Sequence, residues 1–381
     1  MKKVILLILF LTGLVLNGLA QGRPTSEVQL IFDKYTKNEG VKNAFFRIES
    51  SDQSISQDLV YGKFTGGEKV TLRTPFYTAS IGKTFTGVAI AQLVEKGKLT
   101  FDDLVINHLD SLVNGMLVID GKDYISDLTL HHLLNHTSGL PDYFEDQPLT
   151  GANMMQNIFK EPNRYWKPVE LVEFTKANFS GRFKPGEGYH YTDTEYVLLG
   201  LIIEKVSGMP LHKYFQENIF GPLSMQLTSM NLRSEPTGKP DFNMAEIYTG
   251  SMEISKFRSL SADWAGGSIR STSQDLNVFL KALLHGALLS EETINKMQLW
   301  TPESKGTWYG YGLRKWSLSE LDPNLPPLKL IGHSGSTGAF MYYCPELDVY
   351  LSGTFNNTDY LQKHIVFLAE VLINISQNSK E

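Results

Sequence analysis

Strand-like segments stand near both ends of this chain and a long helical stretch lies between them, so a sheet formed by it must be assembled from the two termini. Residues 44–48 and 59–64 read as two strands joined by a polar turn, a hairpin. Residues 328–332, 339–343 and 349–355 read as three more, the last two linked by the turn Pro345, Glu346, Leu347, Asp348. Val28, Ile31, Phe32 and Tyr35 recur at helical spacing before the first strand. Ile365, Leu368, Leu372 and Ile375 do so after the last, on a helix over 360–375. From about 80 to 300 the pattern is mostly helical, with Gly-, Pro- and Asn-rich loops. The expectation is an α/β (α+β) architecture: an antiparallel sheet flanked by helices, with an inserted helical subregion at about 100–250. Residues 322–327, with three prolines, read as an exposed loop.

The first twenty residues do not read as part of this fold. Lys2 and Lys3 precede an apolar run from Val4 to Leu16, and Gly18, Leu19, Ala20 place small residues at the −3 and −1 positions of a cleavage site. The run is shorter than the roughly 20 apolar residues needed to cross a bilayer. The expectation is therefore a signal peptide cut after Ala20, an exported (periplasmic or secreted) protein, one domain over 21–381 and no stable membrane span after processing. The formal charge of −6 would become −8 on loss of Lys2 and Lys3. A mildly acidic chain without basic clusters argues against nucleic acid as partner. The single cysteine, Cys344, excludes an intramolecular disulfide and reads as a buried small apolar residue.

The sharpest local feature is Ser80, Ile81, Gly82, Lys83. The residues that follow, 84–96, are helical by composition and apolar nearly all round, which predicts a buried helix stopped at Gly97. Ser80 and Lys83 then share one face of its first turn. A serine hydroxyl becomes a good nucleophile when a neighbouring base takes its proton, and a lysine amine is such a base only where its pKa is lowered. S-x-x-K occurs once here, which chance alone also allows in a chain of this length.

Two further stretches carry candidates. Residues 183–193 run through Pro185 and Gly186 to Tyr191, Thr192, Asp193 and into a buried helix over 196–206, ended by Gly208. Thr192 and Glu195 fit a capping box, and Tyr191 just before the helix is a phenol able to relay a proton. Gly332, His333, Ser334, Gly335, Ser336, Thr337, Gly338 fall between two strands, where an edge strand could pair with a peptide-like substrate and offer an oxyanion donor.

With these three elements in this order the chain resembles the serine β-lactamase and penicillin-binding protein superfamily, in particular its class C and related esterase/D-peptidase branch. Ser80 to Lys83 matches S-x-x-K, Tyr191 to Asp193 the Y-x-N-like element, and His333 to Gly335 the K-T-G-like element. Residues 128–141, 220–225 and 265–275 extend the resemblance beyond the catalytic elements. It implies a β-lactamase/transpeptidase-like fold with Ser80 as nucleophile, Lys83 as general base and Tyr191 as second proton relay. The N–H groups of Ser80 and Ser336 would form an oxyanion hole, and His333, Ser334, Gly335 and Asp193 would line the substrate site. Neither a metal nor an organic cofactor is implied.

Two positions depart from a β-lactamase. Asp193 replaces the asparagine of Y-x-N, and a carboxylate near Lys83 favours the charged lysine and opposes its role as a base. His333 replaces the lysine of K-T-G, so a fixed positive charge for a substrate carboxylate is missing. Both favour hydrolysis of ester or amide bonds in small or peptide-like acyl substrates. A D-Ala-D-Ala-type peptidase or weak β-lactamase, an acyltransferase, and a non-catalytic binding protein are the alternatives. The pair His132 and His136, at i, i+4, suggests zinc, but no glutamate follows His132 and no third ligand is evident. The nucleophile-elbow pattern G-x-S-x-G is absent; residues 332–336 miss it because Ser336 stands where the second glycine belongs. The sequence leaves the oligomeric state open.

Overall fold

A computed structural model describes residues 24–38 and 40–378. The segment read as a signal peptide lies outside them. The sheet has eight antiparallel strands in the spatial order Thr301–Ser304, Thr307–Tyr309, Arg314–Ser317, Lys329–Ser334, Phe340–Cys344, Val349–Thr354, Asn43–Ser50, Ser56–Gly62. The two ends of the chain meet where Asn43–Ser50 pairs with Val349–Thr354, with Phe45 opposite Thr354 and Ser50 opposite Val349. The hairpin and the three C-terminal strands therefore form as expected. Three strands between Thr301 and Ser317 were not anticipated, because each is only three or four residues long, too short for an apolar alternation to show.

Alternation along the central strands feeds two cores. Ala44, Phe46 and Ile48 face one side, with Phe340, Tyr342 and Leu351. Helices Pro24–Thr36 and Lys363–Asn378 cover that side through Val28, Phe32, Phe367 and Leu372, and Phe46 meets Phe367 edge-on at 4.9 Å. Phe45, Met341 and Tyr350 face the other side and join the larger core of the inserted helical region. Complete burial of a side chain such as Phe46 contributes about 1.5–3 kcal/mol. Cys344 is buried in the smaller core, as expected.

Two buried helices carry the site. Gly82–Glu95 has every residue from Gly82 to Leu93 buried, and Phe85 stacks on Phe279 of helix Ser273–Leu284 at 3.8 Å. Asp193–Ser207 begins three residues earlier than its apolar pattern suggested and ends at the predicted Gly208. The capping box does not form: the Thr192 hydroxyl accepts the Thr194 N–H (3.1 Å), while the Glu195 side chain turns to His136 instead of back to the cap. Asp142, from another loop, accepts the Asp193 N–H (2.9 Å). No helix among the described residues is long and apolar enough to cross a membrane.

Candidate active site

Ser80 lies in a short 3-10 turn, Ala79–Ile81, that runs directly into helix Gly82–Glu95. It is partly exposed, whereas Lys83, one turn on, is completely buried. The Lys83 Nζ donates to Ser80 Oγ (3.2 Å), Asp193 Oδ1 (2.5 Å) and the Gly266 carbonyl (3.2 Å). Three acceptors match the three N–H groups of an ammonium. Burial by itself pulls the Lys83 pKa down; the carboxylate of Asp193, with Tyr191 and Asp263, more than reverses this and holds the ammonium above the ordinary lysine value. The opposition between Asp193 and a neutral Lys83 that the sequence suggested is thus built into the geometry.

Tyr191 arrives from 108 positions downstream of Lys83, and its ring centre lies 4.9 Å from Nζ. Burial raises its phenol pKa, while the Lys83 charge pulls it down. Two more buried carboxyls stand near the pair. Asp263 accepts the Tyr77 hydroxyl (2.7 Å) and is pushed up to about 6 by burial and the charge of Asp193. Asp142 is pushed up to about 7 by the same two causes.

Two glycines explain why these segments come so close. A β-carbon on Gly266 would sit 2.4 Å from Asp193 Oδ1 and 3.4 Å from Lys83 Nζ. A β-carbon on Gly335 would sit 2.2 Å from the Thr78 carbonyl. The Thr337 hydroxyl also donates to the Tyr77 carbonyl (3.2 Å). These contacts seat the turn after strand Lys329–Ser334 against the turn that bears Ser80, with Ser336 exposed and Ser334 buried.

Several expectations change here. Lys329–Ser334 is not an edge strand, because the unanticipated strand Arg314–Ser317 pairs with it. That ladder stops at Gly332, opposite Arg314, so only the end of the strand, His333 onward, is an edge on that side. His333 does not line an open site. It is completely buried, its Nδ1 on the Ser334 carbonyl (2.7 Å) and its Nε2 on the Tyr309 hydroxyl (3.0 Å), and burial holds it neutral. His132 and His136 do not share a helix: Leu130–Leu134 ends between them and His136 has φ +62°. His132 caps Thr129 and His136 meets Glu195. Among the described residues no group of three metal-ligating side chains converges.

No cation stands at the His333 position, but Arg314 lies close by. Its guanidinium lies 5.2 Å from the Tyr191 ring centre and 5.5 Å from that of Tyr309. Glu303 holds it through two hydrogen bonds of 2.7 Å. Sequence reasoning missed it along with its strand, and it missed Gly266 because the stretch 265–275 was read as non-catalytic. A cavity of about 530 Å³ beside Tyr189 and His190 includes neither Ser80 nor Lys83 in its lining, so it stands apart from this cluster.

The family model for beta-lactamases matches residues 32–366. A penicillin-binding protein of Bacillus subtilis (strain 168) is 28% identical over 372 residues, covering 89% of this chain and 75% of that protein. A putative D-alanyl-D-alanine carboxypeptidase of Escherichia coli O157:H7 is 25% identical, covering 71% of this chain and 66% of its own length. Among solved structures, a D-stereospecific amidohydrolase from Streptomyces sp. superposes with a TM-score of 0.73 at 27% identity, covering 88% of this chain and 94% of that one. A match over most of the length, on the expected fold and with relatives of this kind, makes the chain a serine hydrolase that belongs to the beta-lactamase family.

Proposed function

We propose that this chain hydrolyses amide bonds of small peptide-like substrates with a D-configured acyl residue, through an acyl-enzyme on Ser80. The observation that carries this reading is the 3.2 Å contact between Lys83 Nζ and Ser80 Oγ at the start of a buried helix, with the Tyr191 ring beside the same nitrogen. The preference for D-configured amides is supported by the resemblance to a D-stereospecific amidohydrolase and to a protein described as a putative D-alanyl-D-alanine carboxypeptidase.

In this mechanism the neutral fraction of Lys83 takes the Ser80 proton as Oγ attacks the carbonyl carbon, and Asp193, its partner at 2.5 Å, steadies the ammonium so formed until it returns the proton to Oγ on deacylation. The backbone N–H groups of Ser80 and Ser336 receive the developing oxyanion. Tyr191 protonates the departing amine and later takes the proton of the deacylating water. Arg314, partly neutralised by Glu303, is a second cation for an anionic substrate end, and His333 supports Tyr309 from behind. Export with cleavage after Ala20 belongs to the same reading; an N-terminus that begins at Gln21 in the mature protein is its test.

The deciding assay is a panel of D- and L-alanyl-p-nitroanilide, p-nitrophenyl acetate and nitrocefin, each with the native protein and Ser80→Ala. Turnover of the D-amide that disappears in Ser80→Ala is expected, with slow or absent nitrocefin turnover. Equal rates on D- and L-amides would remove the stereochemical reading. Activity surviving in Ser80→Ala would remove the nucleophile. Transfer to an added amine in place of hydrolysis would make the protein an acyltransferase.

A further inference from the structure

His136 is bonded to the residues on both sides of Tyr191 and touches Tyr191 itself. Its carbonyl accepts the His190 N–H (2.9 Å), and its Nδ1 faces the Thr192 N–H (3.3 Å). Between these anchors the imidazole packs on the Tyr191 ring with centroids 4.3 Å apart, and on Tyr309 at the same distance. Its left-handed backbone, φ +62°, is uncommon for a residue with a β-carbon and is held here by these contacts.

The hydrogen bonds around the pair point to one placement of its protons. Nδ1 also meets Glu195 Oε2, and both side chains are completely buried. Glu195 Oε1 faces the Ser138 N–H (3.4 Å). A ring nitrogen that accepts the Thr192 N–H carries no hydrogen of its own, so the proton of the shorter His136–Glu195 contact belongs to the carboxyl and the two donors share the one Nδ1 lone pair. The imidazole then keeps its one hydrogen on Nε2, which has no protein partner. The surroundings act in the same direction. Burial, with Lys83, Arg314, His333 and His190 adding to it, holds His136 neutral. Burial, with Asp142 adding to it, holds Glu195 protonated against the Ser138 N–H and the Lys83 charge. An imidazolium–carboxylate pair, also neutral overall, would set its cationic half against the Tyr191 ring and turn an Nδ1–H toward the Thr192 N–H.

We infer that His136 and Glu195 form a neutral acid–imidazole pair that positions Tyr191, fixing the phenol beside Lys83 without adding charge there. Its catalytic consequence rests on the reading of Tyr191 as the proton relay; the protonation pattern of the pair does not.

The test compares Glu195→Gln with Glu195→Ala in the mature protein. A glutamine N–H donates to Nδ1 and its carbonyl accepts the Ser138 N–H, which reproduces the neutral acid but not a carboxylate. On D-alanyl-p-nitroanilide, alanine should lower kcat about tenfold or more with KM nearly unchanged, because a displaced relay harms proton transfer and not binding. Glutamine should restore kcat to within about threefold of native. The 15N spectrum of His136 in the native protein should show hydrogen on Nε2, with no titration between about pH 5 and about 9. Glutamine as damaging as alanine, an unchanged kcat in Glu195→Ala, or an imidazole that titrates in this range would each overturn the proposal. Should Glu195→Ala fail to fold, the glutamine variant and the spectrum still decide. The spectrum also reads the pair directly if Ser80→Ala shows that the activity lies elsewhere.

Discussion

Asp193→Asn removes the charge that holds Lys83 protonated. Unit charges 4 Å apart interact by ~4 kcal/mol at an effective dielectric of ~20. The Nζ–Oδ1 separation is 2.5 Å, with the negative charge spread over two oxygens, which places this pair at or above that figure. One pKa unit corresponds to ~1.4 kcal/mol, so the substitution should lower Lys83 by ~3 units. Burial, which already favours the neutral amine, is unchanged, and the asparagine Oδ1 still accepts from Nζ, so the geometry survives. At pH 7 the neutral fraction of Lys83 then rises by up to ~10³, offset in part by the weaker basicity of the amine. Ser80 labelling by a fluorophosphonate and kcat/KM on D-alanyl-p-nitroanilide should be followed from about pH 5 to about 10. The rising limb of both profiles should move to lower pH, with a gain of at least ~10-fold at pH 7. Superimposable profiles would mean that Asp193 does not set the charge of Lys83, and the electrostatic account of this site would be refuted.

Lys83→Ala should cost at least ~10²-fold in turnover, and by leaving Asp193 buried without its cation it should destabilise by ~3–5 kcal/mol in urea unfolding. Ser80→Ala should lose activity at an unchanged unfolding midpoint, so the two variants separate chemistry from stability. Gly335→Ala forces a β-carbon to 2.2 Å from the Thr78 carbonyl; a stability loss of ~1–3 kcal/mol and slower Ser80 labelling are expected, and native behaviour would show that the two turns are not in contact. Asp263, raised to about 6 in the fold, keeps a proton that the unfolded chain has released, so its contribution to stability falls as pH rises from the ordinary carboxylate range through about 6. The buried neutral histidines His333 and His364 have the opposite sign below about pH 6.5, so the informative readout is a difference. Asp263→Asn should gain stability relative to native between about pH 5 and about 8, and a constant difference would contradict the assignment.

The fold was legible where local periodicity carried it. Strands from both termini, their flanking helices and the apolar helix after Ser80 all follow from side-chain patterns that repeat within a few residues. Strands such as Arg314–Ser317 escaped because a four-residue strand with Arg314 and Lys315 in it has no such pattern, and its place is decided by pairing with Lys329–Ser334. With that strand went Arg314 and the correct view of His333.

By itself, the order of residues determined which groups are available: a hydroxyl and an amine one turn apart, a phenol before a helix, and a carboxylate where an amide usually stands. Only the tertiary structure decided their charge states. Lys83 is an ammonium because Asp193, 110 positions away, is packed 2.5 Å from it, and His136 is read as neutral because Glu195 and the Thr192 N–H meet the same ring nitrogen. A pKa depends on burial and on neighbours in space, and neither is written in local sequence.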